Sequence, residues 1–166
     1  MKDKAQAGFS LIEIILYIGI LAVLFVFLLA IFQDAIFIKS KVSQKIDNLE
    51  NAQFALNKMV WYLQNAQSLN TPLLGQTSNT LSLNLADSAQ NPVNFYVESG
   101  QLRIKTGSNA ALSLTNGRIK VDNLTFTNNG FVSEPAVLQI NLQVENVSNF
   151  WKIKPLTLQT SVKTEK

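Results

Sequence analysis

The chain has 166 residues, a formal net charge of +3 and only 15% charged residues, whereas 47% of its residues are hydrophobic. It contains neither histidine nor cysteine. This composition excludes Ser-His-Asp and Cys-His nucleophile systems, Cys/His zinc sites and disulfides. The sequence also has no phosphate-binding glycine loop, no calcium loop and no paired-carboxylate motif. We therefore expect a protein that is not an enzyme and that has no cofactor and no metal site.

The first predicted element is an apolar helix near the N-terminus. Residues 14–32 contain neither a charged side chain nor an amide. As a helix they would span about 28 Å, close to the thickness of the bilayer's hydrocarbon core. Lys2 and Lys4 precede the apolar stretch, which favours a cytoplasmic N-terminus and an exported C-terminal part. A membrane anchor is favoured over a removed signal peptide, because the apolar stretch is long and no A-x-A cleavage site follows it.

Glu13 is unusual in this setting, because it lies at the start of the apolar stretch. A carboxylate inside a membrane is costly and is usually paired. The predicted helix places no basic residue opposite Glu13. The side chain would therefore either reach the lipid headgroups at the interface or pair with a cation from another molecule.

Residues 8–13 read Gly-Phe-Ser-Leu-Ile-Glu, between a short basic leader and the apolar helix. This arrangement resembles the processing motif of type IV prepilins and type II secretion pseudopilins. The resemblance implies that a prepilin peptidase cuts between Gly8 and Phe9 and that the new amine of Phe9 is N-methylated. It also implies that Glu13 pairs with the Phe amine of a neighbouring subunit. Such a buried charge pair would set the register of assembly more than its stability.

An amphipathic helical pattern continues beyond the apolar stretch, without proline or glycine, and predicts that the helix ends near Leu69, before Asn70-Thr71-Pro72. We expect this second half to pack on the chain's own sheet rather than in a coiled coil, with Trp61 and Tyr62 at the core and rim of that contact. The apolar residues of this face are Val42, Ile46, Leu49, Leu56, Val60 and Leu63, with Ala52 filling one turn.

Beyond residue 76 the apolar period changes to two, which is typical of strands. Alternating runs such as Leu81–Leu85 and Val93–Val97 predict six or seven antiparallel strands. Ser99-Gly100 and Asn116-Gly117 are predicted hairpin turns, the second of type I′. The prediction is thus an α+β, pilin-like fold, in which a long N-terminal helix packs on a C-terminal antiparallel β-sheet.

The predicted organisation is a cleaved leader at 1–8, a transmembrane and filament-core helix at 9–38, an amphipathic half at 39–70 and an exported sheet domain at 71–166. The loose likeness of the sheet domain to J- or W-type subunits favours a minor pilin or pseudopilin. The resemblance implies a structural subunit of a type IV pilus-like or type II secretion-like filament. Its partners would be prepilin peptidase, other subunits, the inner-membrane assembly platform and the lipid bilayer. The protein would cross the inner membrane once before joining a cell-surface or periplasmic filament.

Two alternatives stay open. One is a DNA-uptake or adhesin subunit, because basic residues two apart on a strand face one side and could attract phosphates if the strands adjoin. Solvated positions on amphipathic strands explain the same pattern more simply, and we favour that interpretation over nucleic-acid binding. The other alternative is a monomeric membrane-anchored protein. The basic residues of this possible surface are Arg103, Lys105, Arg118, Lys120, Lys152 and Lys154.

Overall fold

The computed structural model describes residues 10–130, 136–147 and 154–164, which contain one α-helix, nine strands and a short 3₁₀ helix at Ser88–Gln90. The helix α1 spans Leu11–Gln64. The strands are β1 (Ala66–Thr71), β2 (Thr77–Ser78), β3 (Leu81–Leu85), β4 (Val93–Glu98), β5 (Gln101–Thr106), β6 (Leu112–Ser113), β7 (Ile119–Asn128), β8 (Val137–Asn146) and β9 (Leu156–Lys163). The predicted leader at 1–8 and Phe9 lie outside the described residues.

The strands form two antiparallel sheets where the sequence predicts one. The first sheet has the order β1-β3-β4-β5-β6, and the second has the order β2-β7-β8-β9. β1, β2 and β6 were not predicted, because they are short or lack regular apolar alternation. The α+β class, with one long helix packed against antiparallel strands, is confirmed.

The chain divides between Val42 and Ser43 into two compact units. In the first unit, every Leu, Ile, Val and Phe from Leu11 to Ile38 is at least 46% exposed. The second unit has its own apolar core, in which Phe95 and Phe126 are the largest fully buried side chains. Burial of such a side chain stabilises a fold by about 1.5–3 kcal/mol. Because these buried side chains belong to the second unit, that unit contains the core that stabilises the fold.

The helix contributes to this core with a narrow face of mostly small residues. The buried side chains of α1 are Asn48, Ala52, Ala55, Met59, Tyr62 and Leu63. Of the six larger apolar residues of the predicted face, three are partly buried, Val42 and Ile46 are exposed, and Leu63 alone is buried. The prediction gave most weight to large side chains, whereas Ala allows close packing because its side chain ends at Cβ. Of the two aromatic residues predicted at the core and rim of this contact, Tyr62 belongs to the core and Trp61 is exposed. The Tyr62 ring meets Phe95 edge-on, with ring centroids 5.5 Å apart.

The helix ends at Gln64 and not near Leu69. Asn65 caps the last turn, since its side-chain Nδ2 and its backbone N–H both donate to the Trp61 carbonyl, at 2.7 and 3.2 Å. The chain then enters β1, whose first residue, Ala66, pairs with Leu85 of β3. The pairing of β1 with β3 is a tertiary contact, so the helical pattern of the sequence does not show that it ends the helix early.

The two predicted hairpin turns have different outcomes. Ser99 and Gly100 join β4 to β5 with φ of 53° and 75°, the two positive values that a type I′ turn needs, so this prediction is confirmed. Asn116-Gly117 was predicted wrongly, because it connects β6 of one sheet to β7 of the other. Its turn depends on the Asn116 side chain, whose Oδ1 accepts the Arg118 N–H at 3.0 Å.

Strand β7 joins two predicted strand segments through a bulge. Its apolar positions are odd-numbered at Ile119 and Val121 but even-numbered at Leu124 and Phe126. Because side chains alternate across a strand, one extra residue is needed to bring all four onto one face. The pairing with β8 shifts register between Val121 and Asn123, and all four side chains are buried.

Candidate functional site

The candidate site is the start of α1, where Ser10 is the first described residue. Its carbonyl accepts the backbone N–H groups of Glu13 and Ile14, at 3.0 and 3.2 Å. Serine is a preferred residue at a helix N-cap. Glu13 therefore lies in the first helical turn, where the partial positive charge of the helix N-terminus favours a carboxylate.

The Glu13 side chain has a hydrogen-bond donor within the same helix. The hydroxyl of Tyr17 donates to Glu13 Oε1 at 2.9 Å. The two residues are four apart, and side chains at this spacing lie next to each other on a helix surface. We did not predict this contact from the sequence, although the four-residue spacing between a carboxylate and a phenol was a usable signal.

The helix that carries these side chains is suited to an apolar environment. It is the one helix, among the described residues, that is long and apolar enough to cross a membrane. Its most apolar 18-residue window has no buried residue within the protein. Such a surface is larger than the apolar patches that monomeric soluble proteins expose, so it needs lipid or other helices around it.

A family model for the prokaryotic N-terminal methylation motif matches residues 3–29. The chain carries the type IV pilin and pseudopilin signature. The match covers most of the leader, including Lys4, the Gly8–Phe9 junction, Glu13 and most of the apolar stretch. The signature implies processing by a prepilin peptidase and assembly with other pilin subunits in general. No curated protein and no solved structure is detectably similar to the chain.

The signature and the structure describe different parts of the processing site. Gly8 and Phe9, the predicted cleavage and methylation positions, lie outside the described residues. Glu13 is described, and the first basic residue of the described helix is Lys39, 26 residues further along the chain. Pairing of Glu13 with a neighbouring subunit's amine stays a prediction of the pilin-like interpretation.

The basic residues two apart do not form one sheet surface. Arg103 and Lys105 lie on β5 of the five-stranded sheet, whereas Lys120 lies on β7 of the four-stranded sheet. Arg118 is in the turn before β7, and Lys154 is exposed just before β9. Lys152 lies outside the described residues.

Three of these cations pair with carboxylates. Arg103 contacts Glu98 at 3.1 Å, and Arg118 contacts Asp47 at 3.4 Å. The third cation, Lys120, is described below. These pairs reduce the positive charge that would attract nucleic-acid phosphates, since each cation already has an anion beside it. The structure thus favours the simpler interpretation of the basic pattern, solvated side chains on amphipathic strands.

Lys120 is the centre of a small charge cluster. Its Nζ lies 3.0 Å from Asp122 Oδ1 and 3.3 Å from Glu145 Oε1. Hydrogen bonding to Asp122, and then to Glu145, raises the pKa of Lys120 above its ordinary value of 10.5. From the sequence both carboxylates look isolated, because the contact of Lys120 with Glu145 depends on the register of β7 with β8. In the described part of the chain, no three acidic side chains are grouped so that they could hold a metal ion.

A buried amide pair was also missed. Asn48 on the helix and Asn146 at the end of β8 are 3% and 8% exposed, and Asn146 Nδ2 donates to Asn48 Oδ1 at 3.4 Å. Asn48 interrupts the apolar face of the helix, so a polar partner opposite it was required. The sequence contains no signal for which of its many amides would be that partner.

Proposed function

We propose that the protein is a minor pilin or pseudopilin, a structural subunit of a type IV pilus-like or type II secretion-like filament, with no catalytic role. The observation that carries this proposal is the pilin signature on a helix whose apolar side chains from Leu11 to Ile38 are all exposed. A filament of packed helices would bury this surface. The second unit buries its own core, so its folding does not depend on these contacts.

In this proposal, prepilin peptidase removes residues 1–8. Glycine at position 8 has no side chain, so its extended backbone fits a protease site closely. Cleavage removes Lys2 and Lys4 and leaves a new amine on Phe9, which is then methylated. The subunit first resides in the inner membrane with a cytoplasmic N-terminus and an exported C-terminal part, and the assembly platform then moves it into a filament.

The test of processing is the mass of the mature N-terminus. The full chain is expressed in cells that contain a prepilin peptidase and in matched cells that lack it, and its N-terminal peptide is identified by mass spectrometry. We expect a chain that begins at methylated Phe9 in the first cells only. Gly8→Val should retain the leader, whereas Ala5→Val, three residues away, should not. An intact Met1 in peptidase-containing cells would refute the proposal and favour a monomeric anchored protein.

The test of assembly uses Glu13. Glu13→Ala removes the carboxylate that would pair with a neighbour's amine, so it should leave membrane insertion unchanged and reduce incorporation into filaments. Asp34→Asn is the matched control, because it neutralises another carboxylate of the same helix. Normal incorporation of Glu13→Ala would contradict the pairing role while leaving the processing result intact.

A further inference from the structure

We infer that Tyr17 is a positioning residue for Glu13, whose hydroxyl holds the carboxylate in place for a cation from a neighbouring subunit. The inference rests on the proposed assembly function, because it concerns the residue on which that assembly depends. Its starting point is the 2.9 Å hydrogen bond from Tyr17 Oη to Glu13 Oε1.

Beyond Glu13, Tyr17 is the first polar side chain along the apolar helix. Between Glu13 and Gln33, every residue other than Tyr17 has an apolar side chain or none. The nearest charged residues beyond are Asp34 and Lys39. An unpaired polar group in hydrocarbon costs several kcal/mol, so a donor on the same helix stabilises the Glu13 carboxylate until a partner arrives.

The direction of the helix explains why the donor lies at position 17. Side chains on a helix lean towards its N-terminus, so the Tyr17 ring covers the turn that contains Glu13. A hydrogen bond to a charged acceptor is shorter and stronger than one between neutral groups. The contact therefore restricts the rotamers of Glu13 without any residue from outside the helix.

The bond leaves room for the proposed partner. An ionised carboxylate has two oxygens and accepts about four hydrogen bonds. Tyr17 uses one of these positions on Oε1, so the carboxylate has further positions with which it could accept from an incoming amine. Tyr17 would thus orient Glu13 in the single subunit and stay bonded to it in the filament, and it would not compete with the neighbour.

The first test detects the hydrogen bond between Tyr17 and Glu13 in the full chain. Tyr17 is replaced by 3-fluorotyrosine, and its fluorine resonance is recorded in lipid bilayers. We expect the resonance to move in Glu13→Gln and to stay in place in Asp34→Asn. An unchanged resonance in Glu13→Gln would overturn the inference. This measurement does not require filaments, so it is independent of the proposed function.

The second test moves the hydroxyl along the helix while the number of tyrosines stays the same. Tyr17→Phe combined with Leu21→Tyr keeps one tyrosine on the same helix face, one turn beyond the reach of Glu13. In cells that also express the unmodified chain, we expect both Tyr17→Phe and this relocated variant to enter filaments about three-fold less often, the size of an average membrane hydrogen bond. In a Glu13→Gln background the same changes should have no further effect.

The outcomes separate the inference from the proposed function. Normal incorporation of the relocated variant, or an undiminished loss in the Glu13→Gln background, would overturn the positioning role of Tyr17. An unprocessed wild-type chain that enters no filament would instead contradict the proposed function, and the fluorine measurement would still decide whether Tyr17 holds Glu13.

Discussion

The two glycines assigned to hairpin turns from the sequence, Gly100 and Gly117, should respond oppositely to alanine. Gly100 has φ +75°, a left-handed conformation that favours glycine. Gly117 does not have a positive φ, and the nearest atom to an added Cβ would be Gln101 Nε2 at 4.0 Å. The structure therefore predicts strain at one position and none at the other.

The expected size follows from these contacts. A left-handed conformation costs a residue with a side chain about 1–2 kcal/mol. At Gly100 the new Cβ would also lie 2.9 Å from Lys120 Cγ, so the lysine stem would have to move while its ammonium is held by two carboxylates. We expect Gly100→Ala to lower the free energy of unfolding by roughly 1–3 kcal/mol. Gly117→Ala should raise it by up to about 1 kcal/mol, because alanine restricts the unfolded chain.

Thermal unfolding of the full chain in mild detergent, followed by the circular dichroism of its strands, measures both effects. A change of 1 kcal/mol should move the melting temperature by roughly 3–5 °C in a domain of this size. Lys120→Ala removes the crowded Cγ, so the loss caused by Gly100→Ala should be smaller in that background. Equal melting temperatures for the two alanine variants, or a larger loss for Gly117→Ala, would refute the assignment of the turns.

Three further predictions concern the same domain. Leu63→Ala should lower the free energy of unfolding by about 2–5 kcal/mol in chemical denaturation, because the side chain is fully buried. Thr115→Val should cost about 1–3 kcal/mol in the same assay, since it leaves the buried Leu102 N–H without its 3.1 Å acceptor. Lys120→Met should destabilise the domain at pH 7. Because hydrogen bonding to Asp122 raises the Lys120 pKa, this destabilisation should be fully present from pH 7 to just below pH 10.5 and should disappear as the pH rises through the pKa of the folded state. A pH-independent loss of stability would contradict the prediction.

Local patterns were sufficient to predict the long helix and most of the longer strands. Strand β8 is the clearest example, because Leu138, Ile140, Leu142 and Val144 alternate along it and all are buried. The short strands β2 and β6 could not be predicted in this way. Each has only two residues, too few for an alternating pattern, and the partner of β2 is the distant strand β7.

The candidate site was predictable to the extent that it is a linear motif. Glu13 stands out because it is a charge in an apolar stretch, and its helical turn is local. Tyr17 was within reach of the same reasoning, since four-residue spacing is also local. The pairing of Arg118 with Asp47 was not, because 71 residues separate the two and only the fold brings them together.

The two units meet the need to bury apolar surface in different ways. The second unit buries its own core, and its ion pairs and amide pair join residues within that unit. Residues 10–42 have no comparable core, so the free energy that orders their surroundings must come from lipid or from other helices. Substitutions in the core should therefore lower the stability of the fold, whereas substitutions at Glu13 and Tyr17 should lower incorporation into filaments. This separation makes it possible to test the assembly site without destabilising the domain.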